Sequence, residues 1–483
     1  MKVLFYTVYM ASPHWETELE LMQNHLDAGD EVFVLQCTGE LKTCFFNPSH
    51  SAARCYRCKK IFANGISLLD GHERLKIVSF PHPQPHYPQI PLVFENIAAL
   101  KSFRIGKAEV GLAAASSLVS RINKEHNLDT LHYQSEVYRE VCNAFYVYET
   151  FTEILNIYSP DLVYIFNGRL STSFPAVNAC ETLKIPFYTH ERGATKQKYS
   201  LTPDSLPHDR AFIHTQILSL WEAANADTRE EIAGGFFKQV RNRVELAWYS
   251  YTGKQKEAEL PLGFDTNKRN ITFFNSTIQE YAAVRGWEDP IPLFGNEKNA
   301  FEKILKEFQE DPNYHFYIRV HPNLSGLANT QNSDIAALKN KYSNVTIIPP
   351  ESKVDTYALM EQSDLVITFL STIGVEACYW RKPSILLGHS FYEKLDCSYY
   401  PESAEELYSL IRTKNLAPKP ILGALKYGYW SLNRGIDYKH FNASGVTSGS
   451  FKGKNLQLPF VTRAWTFAWD RLGGLFRKTQ YTT

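Results

Sequence analysis

Apolar residues along the chain fall into short runs that end in polar turns and lead into helical repeats. The run Lys2 to Val8 reads as a buried strand, followed by the loop Tyr9 to Glu16. A helical repeat from Thr17 to Asp27 closes at Ala28-Gly29, and Glu31 to Gln36 is the next strand. Strand, loop, helix, glycine and strand in that order predict a parallel α/β layer. A long interruption follows, with four cysteines and a proline-rich stretch from Pro81 to Pro91. Helical periodicity returns over Asn96 to Lys124 and Glu136 to Tyr158. The strand Asp161 to Phe166 runs into Asn167-Gly168-Arg169, and after a helix to Leu183 the strand Pro186 to Thr189 runs into His190-Glu191-Arg192-Gly193.

The polar segment Gly253 to Asn270 has the composition of a linker. Beyond it the pattern restarts, with strands at Ile271 to Phe274, Tyr314 to Val320, Val345 to Ile348, Leu365 to Phe369 and Ser384 to Leu387. The expected class is therefore α/β, with two Rossmann-like domains facing a central cleft. The boundaries expected are residues 1–255, 256–425 and a tail of 426–483.

Composition narrows this picture. A chain of 483 residues exceeds one ordinary core and suits two domains of about 200 residues each. Lys+Arg and Asp+Glu both number 51, so the basic excess of a nucleic-acid binder is missing. The apolar run at the N-terminus is too short for a secretion signal, and no stretch approaches the ~20 apolar residues of a membrane span. A cytoplasmic protein with reduced thiols is expected.

Candidate chemistry concentrates where strands end. Arg319-Val320-His321-Pro322 closes one strand, and Ser371-Thr372-Ile373-Gly374-Val375-Glu376-Ala377 forms a strand-to-helix turn, with Lys382-Pro383 beyond. A phosphate is stabilised by free N–H groups and the dipole at a helix start, to which Ser371 and Thr372 add hydroxyls and Gly374 close approach. Glu376, one turn on, is placed to accept hydrogen bonds from ribose. Arg319 and His321 are candidates for a phosphate or an acidic sugar. The bland alternative is that Ser371-Thr372 caps a helix and His321-Pro322 makes a turn.

Taken together, these motifs resemble the capsule-polysaccharide biosynthesis glycosyltransferases, which include Kdo-transferring enzymes and are more distantly similar to bacterial sialyltransferases and CDP-glycerol polymerases. The resemblance covers most of the second half, with a weaker echo at Asn167-Gly168-Arg169 and His190-Glu191-Arg192-Gly193. It implies the GT-B fold and a nucleotide-sugar donor. A CMP-sugar is favoured, carrying an acidic sugar such as Kdo or a nonulosonic acid, with UDP- and GDP-sugars left open. It also implies that His321, Ser371 and Thr372 bind donor phosphate and Glu376 the ribose. The acceptor would be a surface glycan, free or lipid-linked. Two competing functions share these features: a sugar-nucleotide epimerase and a non-catalytic glycan-binding subunit.

An inverting transferase needs a base for the acceptor hydroxyl. Glu191 is the first candidate and His14, beside Glu16, the rival; a structural ion pair of Glu191 with Arg169 or Arg192 is the plainer alternative. No Asp-x-Asp stands where a donor-side Mg²⁺ would need it, so cationic side chains are expected on the leaving group.

Cys37, Cys44, Cys55 and Cys58 lie within 22 residues and hold half of the eight cysteines. They predict a four-thiolate structural metal site, zinc by default and an iron–sulfur cluster second. In the tail, Trp465, Trp469, Leu472 and Phe476 recur on one helical face near Arg463, Arg471, Arg477 and Lys478. That face is expected either to close a domain or to touch the inner membrane surface.

Overall fold

The computed structural model describes residues 1–478 apart from 88, 92 and 289, with side chains described as far as Trp469. The chain forms two compact units. The first comprises Met1–Arg121, Leu128–Pro207 and Gly435–Thr483; the second comprises Ile122–Asn127 and His208–Arg434. The polarity of the sequence suggested breaks after 255 and 425. Residues 208–255 instead pack with the second unit, because the helices Arg210–Ala223 and Arg229–Arg241 bury Ile213, Ile217 and Phe237 in one cluster with Ala424, Tyr427 and Trp430.

The first unit is built on the strands β1 (Lys2–Thr7), β2 (Glu31–Gln36), β3 (Leu75–Ser79), β4 (Leu162–Phe166), β5 (Phe187–Arg192) and β6 (Lys198–Pro203). The order β3-β2-β1-β4-β5 is parallel throughout; β6 then pairs antiparallel with β5. Val3, Leu4, Phe5 and Tyr6 of β1 are all buried, since helices cover both faces and make the strand apolar on both sides. The edge strand β3, with Lys76 and Ile77 exposed, has no such apolar run and falls inside the stretch that the sequence marked as an interruption.

The second unit repeats the plan with β7 (Arg269–Phe274), β8 (Tyr314–Arg319), β9 (Val345–Ile348), β10 (Leu365–Thr368) and β11 (Ser384–Leu386). These strands are all parallel, in the order β9-β8-β7-β10-β11. Phe273, Phe301, Phe316 and Phe369 fill one face of the sheet. Each such ring, fully buried, stabilises the unit by about 1.5–3 kcal/mol. Both sheets are Rossmann-like, the α/β class read from the sequence. In each, strand order reverses beside the first strand (β1 or β7), and in such sheets ligands bind outside the carboxyl ends at that reversal.

After Arg434 the chain returns to the first unit. The strand β12 (Ile436–Asp437) adds to β6, and the buried Glu20 carboxylate accepts the backbone N–H groups of Lys439, His440 and Phe441.

Candidate functional site

In the second unit a pocket of about 280 Å³ opens at the carboxyl ends of β7, β8 and β10. Arg319, His321, Ser371, Thr372 and Glu376 all line it. The sheet therefore gathers the five donor-side candidates at one place, although 57 residues separate the first from the last.

His321 is the best-formed group there. Its backbone N–H donates to Asn275 Oδ1 at 2.8 Å, and its Nδ1 accepts from the Asn323 N–H at 3.1 Å. Burial, with Lys124 and Arg319 nearby, lowers its pKa to about 4. The ring is therefore neutral, and with Nδ1 accepting, the proton sits on Nε2. Ser371 Oγ accepts from the Ile373 N–H at 3.4 Å and keeps its own proton to donate.

Other candidates are committed within the protein. The Arg319 guanidinium donates to the carbonyls of Val320, Pro349 and Ser352. Burial lowers its pKa to about 10, and only its Nε lacks a partner. Arg319 thus fixes the loop after β9. Thr372 Oγ1 donates to Glu376 at 2.8 Å, and the Tyr357 hydroxyl donates to the same carboxylate at 2.7 Å. Burial raises the Glu376 pKa. A ribose hydroxyl would have to share that carboxylate with both. Gly374 is glycine for a reason other than ligand approach: a Cβ there would lie 2.4 Å from the Tyr392 hydroxyl. The helix Ile373–Tyr379 has only seven residues, so hydroxyl and imidazole donors carry more of the site than its dipole does.

Two features escaped the sequence reading. Trp248, Tyr249 and Tyr251 line the pocket from the segment after the helix Arg229–Arg241, and the Tyr251 ring meets His321 edge-on at 4.9 Å. An aromatic run within a polar stretch was the available signal. The second is Glu297, fully buried at the start of the helix Glu297–Phe308. It accepts from Gln331 Nε2, which also donates to the Ser276 carbonyl and so braces the loop after β7. Burial raises the Glu297 pKa to about 7.

In the first unit the rival bases stand together. Glu191, at the end of β5, accepts from Asn167 Nδ2 at 2.8 Å and from the Arg192 N–H at 3.0 Å. Asn167 reaches it from a left-handed turn shared with Gly168, at φ values of 57° and 72°. His14, at the start of the helix His14–Asp27, lies with Nε2 3.6 Å from Glu191 Oε1 and its ring 3.9 Å from that of Phe166. Burial, with the Arg192 charge and His190 close by, holds the His14 pKa well below the usual histidine range. The pair is a neutral imidazole beside a carboxylate that is 27% exposed, and only the latter reaches solvent. The buried His190 contacts Glu18 at 3.2 Å on the same side of the sheet.

All four clustered cysteines line one cavity of about 290 Å³ in the first unit. Among the described residues, however, no three His, Cys, Asp or Glu side chains converge on a point where they would hold a single metal ion. The expected zinc site is thus not formed around one point. The helix Phe460–Lys478 packs on the helix Ala52–Ile66, where Trp465 and Trp469 meet Tyr56. Among the described residues no helix is long and apolar enough to cross a membrane. The side chains of Arg471, Leu472, Phe476, Arg477 and Lys478 lie outside those described.

Residues 239–400, about a third of the chain, match the family model "Capsule polysaccharide biosynthesis protein". Over this segment the chain is similar to that family. The matched segment contains β7 to β11 and every residue lining the His321 pocket. No curated protein matches the chain in sequence. Among solved structures, the beta Kdo 2,4 transferase KpsC of Thermosulfurimonas dismutans is 14% identical over 56% of this chain and 79% of that one, at a TM-score of 0.38. UDP-GlcNAc 2-epimerase from Neisseria meningitidis, bound to UDP-GlcNAc, is 14% identical over 89% and 97%, at a TM-score of 0.29. Neither likeness is close enough to bear on activity.

Proposed function

We propose that this chain is a capsule-polysaccharide glycosyltransferase that takes a sugar from a nucleotide donor held in the second unit. The observation that carries the reading is the pocket at the carboxyl ends of β7, β8 and β10, which a neutral His321 with its proton on Nε2 lines together with the Ser371 hydroxyl. Neutral donors in a half-closed pocket suit an anionic diphosphate or monophosphate, whose negative charge grows as the sugar leaves. Trp248, Tyr249 and Tyr251 offer ring faces for a base or sugar. Arg319, lining the pocket, adds one positive charge, which partly meets the expectation of cationic help for the leaving group.

The resemblance of His321-Pro322 and Ser371-Thr372 to the motifs of the Kdo-transferring enzymes favours a CMP-activated acidic sugar, with UDP- and GDP-sugars left open. Glu191, oriented by Asn167 and His14, is the proposed base for the acceptor hydroxyl of a glycan or lipid-linked glycan. Reaction takes place on the cytoplasmic side in this reading, with the inner membrane face as the site of any lipid-linked acceptor.

A thermal-shift screen of the full chain against CMP, CDP, UDP and GDP tests the donor assignment. One cytidine nucleotide is expected to raise the melting temperature most. Stabilisation by none of the four would remove the donor site, and stabilisation by UDP alone would overturn the cytidine assignment. Conversion of a bound nucleotide sugar to a new one without any acceptor would replace transfer by epimerisation.

A further inference from the structure

Cys37 follows β2, Cys44 lies in the loop beyond it, and Cys55 and Cys58 stand one turn apart on the helix Ala52–Ile66. The fold turns all four toward the same cavity. The remaining cysteines, Cys142, Cys180, Cys378 and Cys397, are buried, the last two in one core cluster, and none of the eight is in a disulfide. We propose that Cys37, Cys44, Cys55 and Cys58 are the ligands of a polynuclear iron–sulfur cluster seated in this cavity.

The geometry separates a cluster from a zinc ion. Four thiolates on one zinc must meet at about 2.3 Å from a single point. Here the sulfurs sit around the wall of a space of about 290 Å³, and no three of them converge. A cluster brings its own bulk and takes one thiolate at each iron corner, so its ligands stand apart.

N–H groups also stand near the sulfurs. Asn47 Nδ2 donates to Cys55 Sγ at 3.3 Å. The backbone N–H groups of Gly39 and Leu41 lie near Cys37, those of Phe46 and Asn47 near Cys44, and that of Met10 near Cys58. A thiol is a weak acceptor and gains little from such donors, whereas a metal-bound thiolate is strengthened by them, and hydrogen bonds to sulfur set cluster potentials. Each ligating thiol releases its proton to solvent as its Fe–S bond forms. Tyr9, Leu41, Phe46 and Ile61 supply an apolar lining, and Arg54 and Arg57 bring positive charge to a cluster whose net charge with four thiolates is negative.

The test is anaerobic purification of the full chain, followed by iron, zinc and acid-labile sulfide analysis and visible spectroscopy, with anaerobic reconstitution by ferrous iron and sulfide. Iron and sulfide in equal amounts, with a broad visible band that bleaches on reduction, are expected. Cys37→Ser and Cys58→Ser should each lose most of the band, while Cys180→Ser, outside the cavity, should keep it. Zinc in place of iron would overturn the proposal, as would a chain that stays colourless after reconstitution. Should the serine variants fail to fold, the metal content and spectrum of the unaltered chain decide alone.

Discussion

The carboxyl ends of β1, β4 and β5 and those of β7, β8 and β10 are the same address in two copies of one topology, yet they are furnished differently. In the first unit the strand ends carry titratable groups in contact: His14 beside Glu191, and His190 against Glu18. In the second they carry neutral donors and rings: the His321 imidazole, the Ser371 hydroxyl and the Trp248 to Tyr251 segment. Arg319 and Glu376, which also line that pocket, are largely consumed by the protein's own carbonyls and hydroxyls. On the proposed function, one end moves a proton and the other receives negative charge without competing for one. A shared scaffold therefore does not dictate shared chemistry; the side chains at its rim decide it.

The sharpest way to break this contrast is Glu191→Gln, which keeps shape and hydrogen-bonding reach but cannot take up a proton at neutral pH. Transfer should fall by about a hundred- to ten-thousand-fold, the usual contribution of a general base. The nucleotide-induced thermal shift should survive. His14→Ala should cost less, about tenfold, because His14 orients Glu191 and does not itself reach solvent. Steady-state transfer assays on both variants decide the order; if His14→Ala is dead while Glu191→Gln is active, the roles exchange. Full activity in both would leave the first unit without its base.

His321→Ala addresses the other side. Loss of one hydrogen bond to a charged group, about 1.5–3 kcal/mol, should weaken nucleotide binding about ten- to a hundredfold by titration calorimetry. Unchanged affinity would empty the comparison of its second half.

These two sets of residues were not equally legible. His321, Ser371 and Thr372 could be read because each closes a strand with a recognisable turn. Glu191 and His14 could each be named but not joined: their contact depends on β1, β4 and β5 lying side by side, which no local pattern states. Glu297 and Gln331 left no sequence trace, being polar residues on ordinary helices that meet only beneath the loop after β7. Gly374, Arg319 and Glu376 were seen, but their partners Tyr392, Pro349 and Tyr357 come from other elements and change what each can do.

The smallest effect expected concerns Glu297. Burial holds its carboxyl at about 7 against 4.5 when exposed. Between those values the folded chain keeps a proton that the unfolded chain has lost, so stability falls as pH rises through the window. Glu297→Gln keeps an acceptor for Gln331 and removes the titration. Its melting temperature should exceed that of the unaltered chain by a few degrees above pH 7 and match it below pH 4.5 by scanning calorimetry.

The return of the chain to the first unit after Arg434 has a consequence for synthesis. Everything that completes the second unit has been synthesised before β12 and the backbone caught by Glu20 are made. The unit begun first is thus the one finished last, and until then Glu20 is a carboxylate waiting for its N–H partners. A message cut short before Gly435 would spare the nucleotide pocket and leave the Glu191 sheet with an open edge at β6.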